Sequence, residues 1–149
     1  MVGVKTRSPI LVVDDDGEDR DFIEQALRKN GIENPIFQLE DGKELLNYLT
    51  HQGKYLTPDS FPKPGLIFLD LNMPRMDGRA ILRHIKTDGL LKKIPVVVLT
   101  TSREREDILE TYNMGANIFF SKPNDFNGLL NLMETTKKYW LEMAELPVE

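Results

Sequence analysis

The chain has no cysteine, so neither a disulfide framework nor a thiolate nucleophile or metal ligand can contribute. Its two histidines, His51 and His84, fall on or near predicted helices and read as surface residues, which leaves no imidazole cluster for a metal and no candidate phosphodonor. No apolar run approaches the ~20 residues that a spanning helix needs, and residues 1–8 lack the apolar core of a signal peptide, so the expected location is cytoplasmic. Lys and Arg form no block. With 24 acidic against 19 basic residues and a net charge of -5, the chain is expected to bind neither nucleic acid directly nor an anionic membrane. At 149 residues there is room for one domain with a real core and too little for two. The expectation is a single domain over 1–149, with its core at about 8–143, no internal repeat and no effector domain.

What is present is organised around residues 65–78, GLIFLDLNMPRMDG. Leu66, Ile67, Phe68 and Leu69 show no apolar-polar alternation, the pattern of a strand covered on both faces inside a parallel sheet. The run ends on Asp70 and enters a loop of turn residues. That places a carboxylate at the strand's carboxyl edge, where open α/β sheets collect ligands and reacting groups. A single aspartate at a strand end is more often a loop anchor; the remaining stretches overturn that preference.

Residues 10–13 form a second apolar run, ending in Asp14, Asp15 and Asp16, the last read as a loop or helix-capping residue. Phe22, Ile23, Ala26 and Leu27 recur at helical spacing over 18–29, and Asn30-Gly31 is a stop signal. Residues 35–39 predict a short strand. Asp41-Gly42 opens a helix that reaches about His51, with Leu45, Leu46 and Leu49 on its apolar face. Gly53, Pro58, Pro62 and Pro64 make 50–64 a long surface loop. Asp77 is the expected N-cap of a helix over 78–88 with Ile81, Leu82 and Ile85 inward. Residues 94–99 are a β-branched strand that finishes on Thr100, Thr101 and Ser102. A polar helix over 103–113 has Ile108, Leu109 and Tyr112 as its few apolar contacts. A fifth strand, 117–121, ends at Lys122-Pro123, and Asp125 caps a last helix whose Phe126, Leu129, Leu130, Met133 and Trp140 share a face. Right-handed crossovers, with helices needed on both faces, turn this βαβαβαβαβα order into an α/β fold: a doubly wound five-stranded parallel sheet in a three-layer sandwich.

Strands one, three, four and five then present Asp14-Asp15, Asp70, Thr100 and Lys122 on one edge of the sheet. Core packing requires none of them there. Two unit charges ~4 Å apart repel by about 4 kcal/mol at an effective dielectric near 20, so clustered carboxylates invite a cation. With only oxygen donors on offer the hard ion Mg²⁺ is the expected one. Lys122 adds a movable positive charge and Thr100 a hydroxyl. Together these groups surround Asp70 with what would stabilise a phosphoryl group on its carboxylate.

Four motifs stand in order at these strand ends: LVVDDD at 11–16, LDLNMPRMDG at 69–78, LTTS at 99–102 and SKPN at 121–124. In that combination the chain resembles a two-component response-regulator receiver domain over nearly its full length. The resemblance implies a flavodoxin-like (βα)5 fold and a phosphorylatable signalling switch that catalyses only its own phosphorylation and dephosphorylation. It makes Asp70 the acceptor of a phosphoryl group from a sensor histidine kinase. Asp14, Asp15, Asp70 and the backbone carbonyl of Asn72 become the Mg²⁺ ligands, Thr100 and Lys122 the groups that grip the phosphoryl, and Phe119 the aromatic switch. It also implies a cis bond before Pro123. Thr101 stands where many receivers carry Ala or Gly, which bears on access to Asp70 and on the lifetime of the phosphorylated state.

The long 50–65 segment, LTTS and the KKYWLE end look similar to single-domain receivers that accompany bacterial phytochrome kinases. Output would then run through protein contacts or onward transfer to a histidine phosphotransfer protein. Tyr139 and Met143, off the core stripe of the last helix, suggest a homodimer through the fourth and last helices. A haloacid-dehalogenase-type phosphatase is the alternative; it needs a second carboxylate two residues after its nucleophile, and Asn72 stands there. A flavin-binding module would need a phosphate loop where Asp14 to Asp16 would repel phosphate.

Overall fold

The computed structural model describes residues 8–73 and 78–143, with Leu141 and Met143 described by backbone alone. Three apolar runs form the middle of the sheet: β1 Ile10–Val13, β3 Leu66–Leu69 and β4 Val96–Thr100, every residue of which is buried. β2 Ile36–Leu39 and β5 Ile118–Ser121 are mostly half-buried because they are the rims of the order β2-β1-β3-β4-β5. All four pairings are parallel. The expected doubly wound sheet is therefore the observed one.

Alternate residues of each central strand feed two cores. Leu11, Val13, Ile67, Leu69, Val96 and Val98 pack on one side with Leu45 and Tyr48 of α2 Gly42–Thr50 and Ile81, Leu82 and Ile85 of α3 Gly78–Thr87. Ile10, Val12, Leu66, Phe68, Val97 and Leu99 pack on the other with Ile23, Ala26 and Leu27 of α1 Gly17–Lys29 and Leu129 and Met133 of α5 Phe126–Thr136. At about 25 cal/mol per Å² of apolar surface removed from water, these two layers dominate stability. α1, α2 and α5 start where the sequence placed their caps: the carboxylates of Asp16, Asp41 and Asp125 each accept an amide of the first turn. The cap expected from Asp77 lies outside the described residues.

Three expectations are corrected. The 50–64 stretch is not a plain surface loop: Tyr55, in the 3₁₀ turn Gly53–Tyr55, is buried and joins Phe37, Tyr48 and Phe61 in an aromatic cluster. Tyr48 donates to the Pro62 carbonyl and Tyr55 to Glu44, so the hydroxyls that a buried tyrosine must satisfy tie the loop to α2. α2 itself stops at Thr50, with His51 left-handed at φ 56°. In α4 Arg105–Asn113 the buried residue is Thr111, while Leu109 and Tyr112 are exposed. α4 packs against the rim strand β5, which offers it little sheet to cover, and the Tyr112 hydroxyl accepts the Phe119 amide of that rim. After α5 the chain continues as a π-helical stretch, Lys137–Met143. There Trp140 packs against the α1/α5 core and Tyr139 is exposed, as their positions on the last helix predicted.

Candidate functional site

The strand register assembles the site. Val13 pairs with Leu69, so Asp14 and Asp70 leave adjacent strands side by side. Leu69 pairs with Val98, and Thr100 pairs with Ser121, which brings Thr100 and Lys122 to the same edge. Carboxylate oxygens of Asp14, Asp15 and Asp70 lie within 4.8 Å of one another. Asp14, Asp70 and Thr100 are buried, whereas Asp15 is exposed.

Lys122 Nζ donates to Asp14 Oδ2 at 2.6 Å, to Asp19 Oδ2 at 2.8 Å and to Asp70 Oδ2 at 3.4 Å. Burial pushes the Asp14 carboxyl up to about 6, and the neighbouring Asp70 charge adds to it, against hydrogen bonds from Lys122 and the Asp16 amide. Burial also works against the Lys122 ammonium. There its bonds to Asp14 and Asp19 and the charges of Asp14 and Asp70 outweigh it and hold the group above the usual lysine range. Three carboxylates thus share one ammonium. The donor set of Asp14, Asp15 and Asp70, three carboxylates gathered within 4.8 Å, fits a hard divalent cation, which takes oxygen ligands.

Further contacts tie the site together. Asn72 donates its backbone amide to Asp70 Oδ1 and its side-chain amide to Thr100 Oγ1, joining acceptor candidate and hydroxyl. Arg20 donates to the Asp14 carbonyl and to Gln38. Gly78 donates to the Leu71 carbonyl, and a Cβ there would overlap the Asp70 carbonyl and stand 2.7 Å from Leu71 Cα, so no larger residue fits under the Asp70 loop. Beyond Thr100, Ser102 and Arg79 both donate to Asp107, linking the loop after β4 to α3 and α4. Asp19 is the addition nearest the centre. An acidic residue in a helix's first turn reads as dipole complementation, and only the fold shows it reaching Lys122.

Of the remaining sequence candidates, Thr101 is exposed, and Phe119 is half-buried on the α2/α3 side of the sheet, opposite α5. The Lys122–Pro123 bond is trans, not cis. A trans bond suffices here, because the Lys122 amide donates to the Thr100 carbonyl at 2.7 Å and its ammonium still reaches all three carboxylates. Beside Lys122 a groove of about 280 Å³ separates α1 from α5, with Phe22, Ile23, Pro123, Phe126 and Leu129 among its lining. No helix among the described residues is long and apolar enough to cross a membrane.

Comparison with known proteins meets this geometry. The model of the response regulator receiver domain matches residues 10–134. Response regulator Rcp1 of Synechocystis sp. (strain ATCC 27184 / PCC 6803 / Kazusa) is 36% identical over 138 residues, 93% of this chain and 92% of that protein. Among solved structures, the phosphorylated cyanobacterial phytochrome response regulator RcpA superposes with a TM-score of 0.88 at 35% identity, covering 95% of this chain and 99% of that one. The Mn²⁺-bound form of Rcp1 gives 0.85 at 35% identity, with the same coverage.

Proposed function

Because this chain belongs to the response-regulator receiver-domain family, we propose that Asp70 accepts a phosphoryl group from the phosphohistidine of a sensor histidine kinase and that the resulting change of surface is the signal. The observation that carries this reading is the convergence on Asp70 of a second buried carboxylate, an ammonium and a buried hydroxyl from three other strand ends.

An Asp70 carboxylate oxygen forms the new O–P bond as the donor's N–P bond breaks, and the electron pair of that bond returns to the imidazole. Lys122 pairs with the phosphoryl charge. Thr100 turns its hydroxyl from Asn72 toward a phosphoryl oxygen, and Phe119 moves inward behind it. Asp14, Asp15, Asp70 and the Asn72 carbonyl would hold Mg²⁺, in keeping with the Mn²⁺-bound state of Rcp1. Bound there, the ion supplies positive charge against the developing phosphoryl oxygens. Asn72 hydrogen-bonds Asp70 and Thr100 where a phosphatase of the alternative class needs a proton-transferring carboxylate, which disfavours general phosphomonoester turnover.

The kinase is proposed to be of the phytochrome type, by analogy with RcpA. Its docking face is the apolar groove between α1 and α5, which adjoins Lys122. Onward transfer to a histidine phosphotransfer protein would use the same face, and self-association is proposed as a homodimer through α4 and α5. The test mixes the protein with autophosphorylated kinases from its own source. A phytochrome-type kinase should lose label fastest, to wild type and not to Asp70→Asn. Transfer from no kinase, or equal transfer to the variant, would overturn the reading.

A further inference from the structure

Asp19 lies outside every motif that marks the site, yet it holds the site's lysine. The ammonium has three N–H donors, and Asp14, Asp19 and Asp70 take one each, at 2.6, 2.8 and 3.4 Å. Lys122 therefore stands nearer to two carboxylates that carry no phosphoryl than to the one proposed to accept it. The two nearer ones differ. The Asp14 side chain is 2% exposed and cannot leave, whereas that of Asp19 is 37% exposed, on the first turn of α1 at the groove beside Lys122. Released into water, Asp19 keeps its charge hydrated at little cost; Asp14 would have nowhere to go.

From this geometry we infer that Asp19 is a positioning residue that holds the Lys122 ammonium back from Asp70 in the resting state and surrenders it when a phosphoryl group arrives. A phosphoryl group on Asp70 brings a denser negative charge than either carboxylate, and the donor easiest to free is the one on Asp19. The Asp19–Lys122 pair thus opposes phosphorylation by the modest strength of a partly exposed ion pair. The inference rests on Asp70 being the acceptor.

The experiment measures apparent beryllofluoride affinity of the full chain with Mg²⁺ by fluorine NMR. Asp19→Asn should bind the phosphoryl mimic about threefold more tightly, the fold-change of a pair of that strength. Asp19→Glu, which keeps the carboxylate, should return toward wild type. Glu18→Gln, which removes a charge in the same turn that does not pair with Lys122, should change affinity less. In a Lys122→Met background the gain from Asp19→Asn should fall to the Glu18→Gln level, which a purely structural role or a through-space charge effect would not produce. Unchanged or weaker binding by Asp19→Asn, or an equal gain without Lys122, would overturn the inference and leave Asp70 as acceptor. Wild type that takes up no beryllofluoride would overturn both.

Discussion

Lys86 and Lys122 sit at opposite edges of one sheet, both partly buried, and burial pushes each ammonium toward its neutral form. Among the described residues Lys86 meets neutral acceptors, the carbonyls of Lys92 and Ile94 and the Asn117 side chain, and its pKa falls to about 8. Lys122 meets carboxylates, and its pKa rises. The neighbourhoods follow suit. At the amino edge Arg28 donates to the Ile32 and Asn34 carbonyls and Lys137 to the Asn30 carbonyl, closing gaps between helix ends and strands. At the carboxyl edge negative charge is in surplus. One edge is completed by the chain's own groups; the other gathers carboxylates in excess of the one ammonium they meet. That contrast separates a structural use of buried charge from a functional one.

Removing each lysine strikes the contrast where it is strongest. Lys122→Ala leaves Asp14 buried without its counter-charge and should cost about 3 kcal/mol or more of stability in metal-free buffer, partly recovered with Mg²⁺. Lys86→Met should cost about 1 kcal/mol and recover nothing. Urea unfolding with and without Mg²⁺ checks both, and an equal response of the two variants to the ion would break the comparison.

Within the carboxyl edge, Asp15 and Asp16 are neighbours with different work. Asp15→Ala should weaken Mg²⁺ binding about tenfold or more. Asp16→Ala should cost about 1 kcal/mol of stability through the lost cap of α1 and leave Mg²⁺ affinity near wild type. Calorimetric titration decides, and equal losses would move the metal site.

The smallest effects are in pH. Asp14 has a folded-state pKa of about 6 against 3.8 in the unfolded chain, so the folded state holds the proton longer and metal-free stability falls as pH rises from about 4 to 6. Lys86 has a folded value of about 8 against 10.5, so the unfolded chain binds more protons between them and stability rises with pH across that window. Each slope is on the order of 1 kcal/mol per pH unit within its window. Asp14→Asn should flatten the first window and Lys86→Met the second, each sparing the other. Thermal melts across pH would sharpen the contrast, or break it if both variants flatten the same window.

The sheet was legible because buried parallel strands are uninterrupted apolar runs, and the helices because Asp16, Asp41 and Asp125 announce themselves as caps. Asp14, Asp70, Thr100 and Lys122 were legible because a parallel sheet must put its strand ends together. What escaped depends on contacts distant in sequence. Asp19 and Lys122 are 103 positions apart. Tyr55 and Phe61 sit among prolines and glycine that read as plain loop until their rings meet Tyr48 and Phe37. α4 misled because its apolar residues face a rim strand with too little surface to cover them, and the bond before Pro123 is trans where the Lys-Pro pair suggested cis.

The central claim is that Asp70 is the carboxylate the surplus of charge is arranged around. Incubation with acetyl phosphate and Mg²⁺, followed by intact mass measurement, tests it most directly. Wild type should gain one phosphoryl group that hydroxylamine removes, and folded Asp70→Asn should gain none. Stoichiometric, hydroxylamine-sensitive labelling of Asp70→Asn would contradict the account.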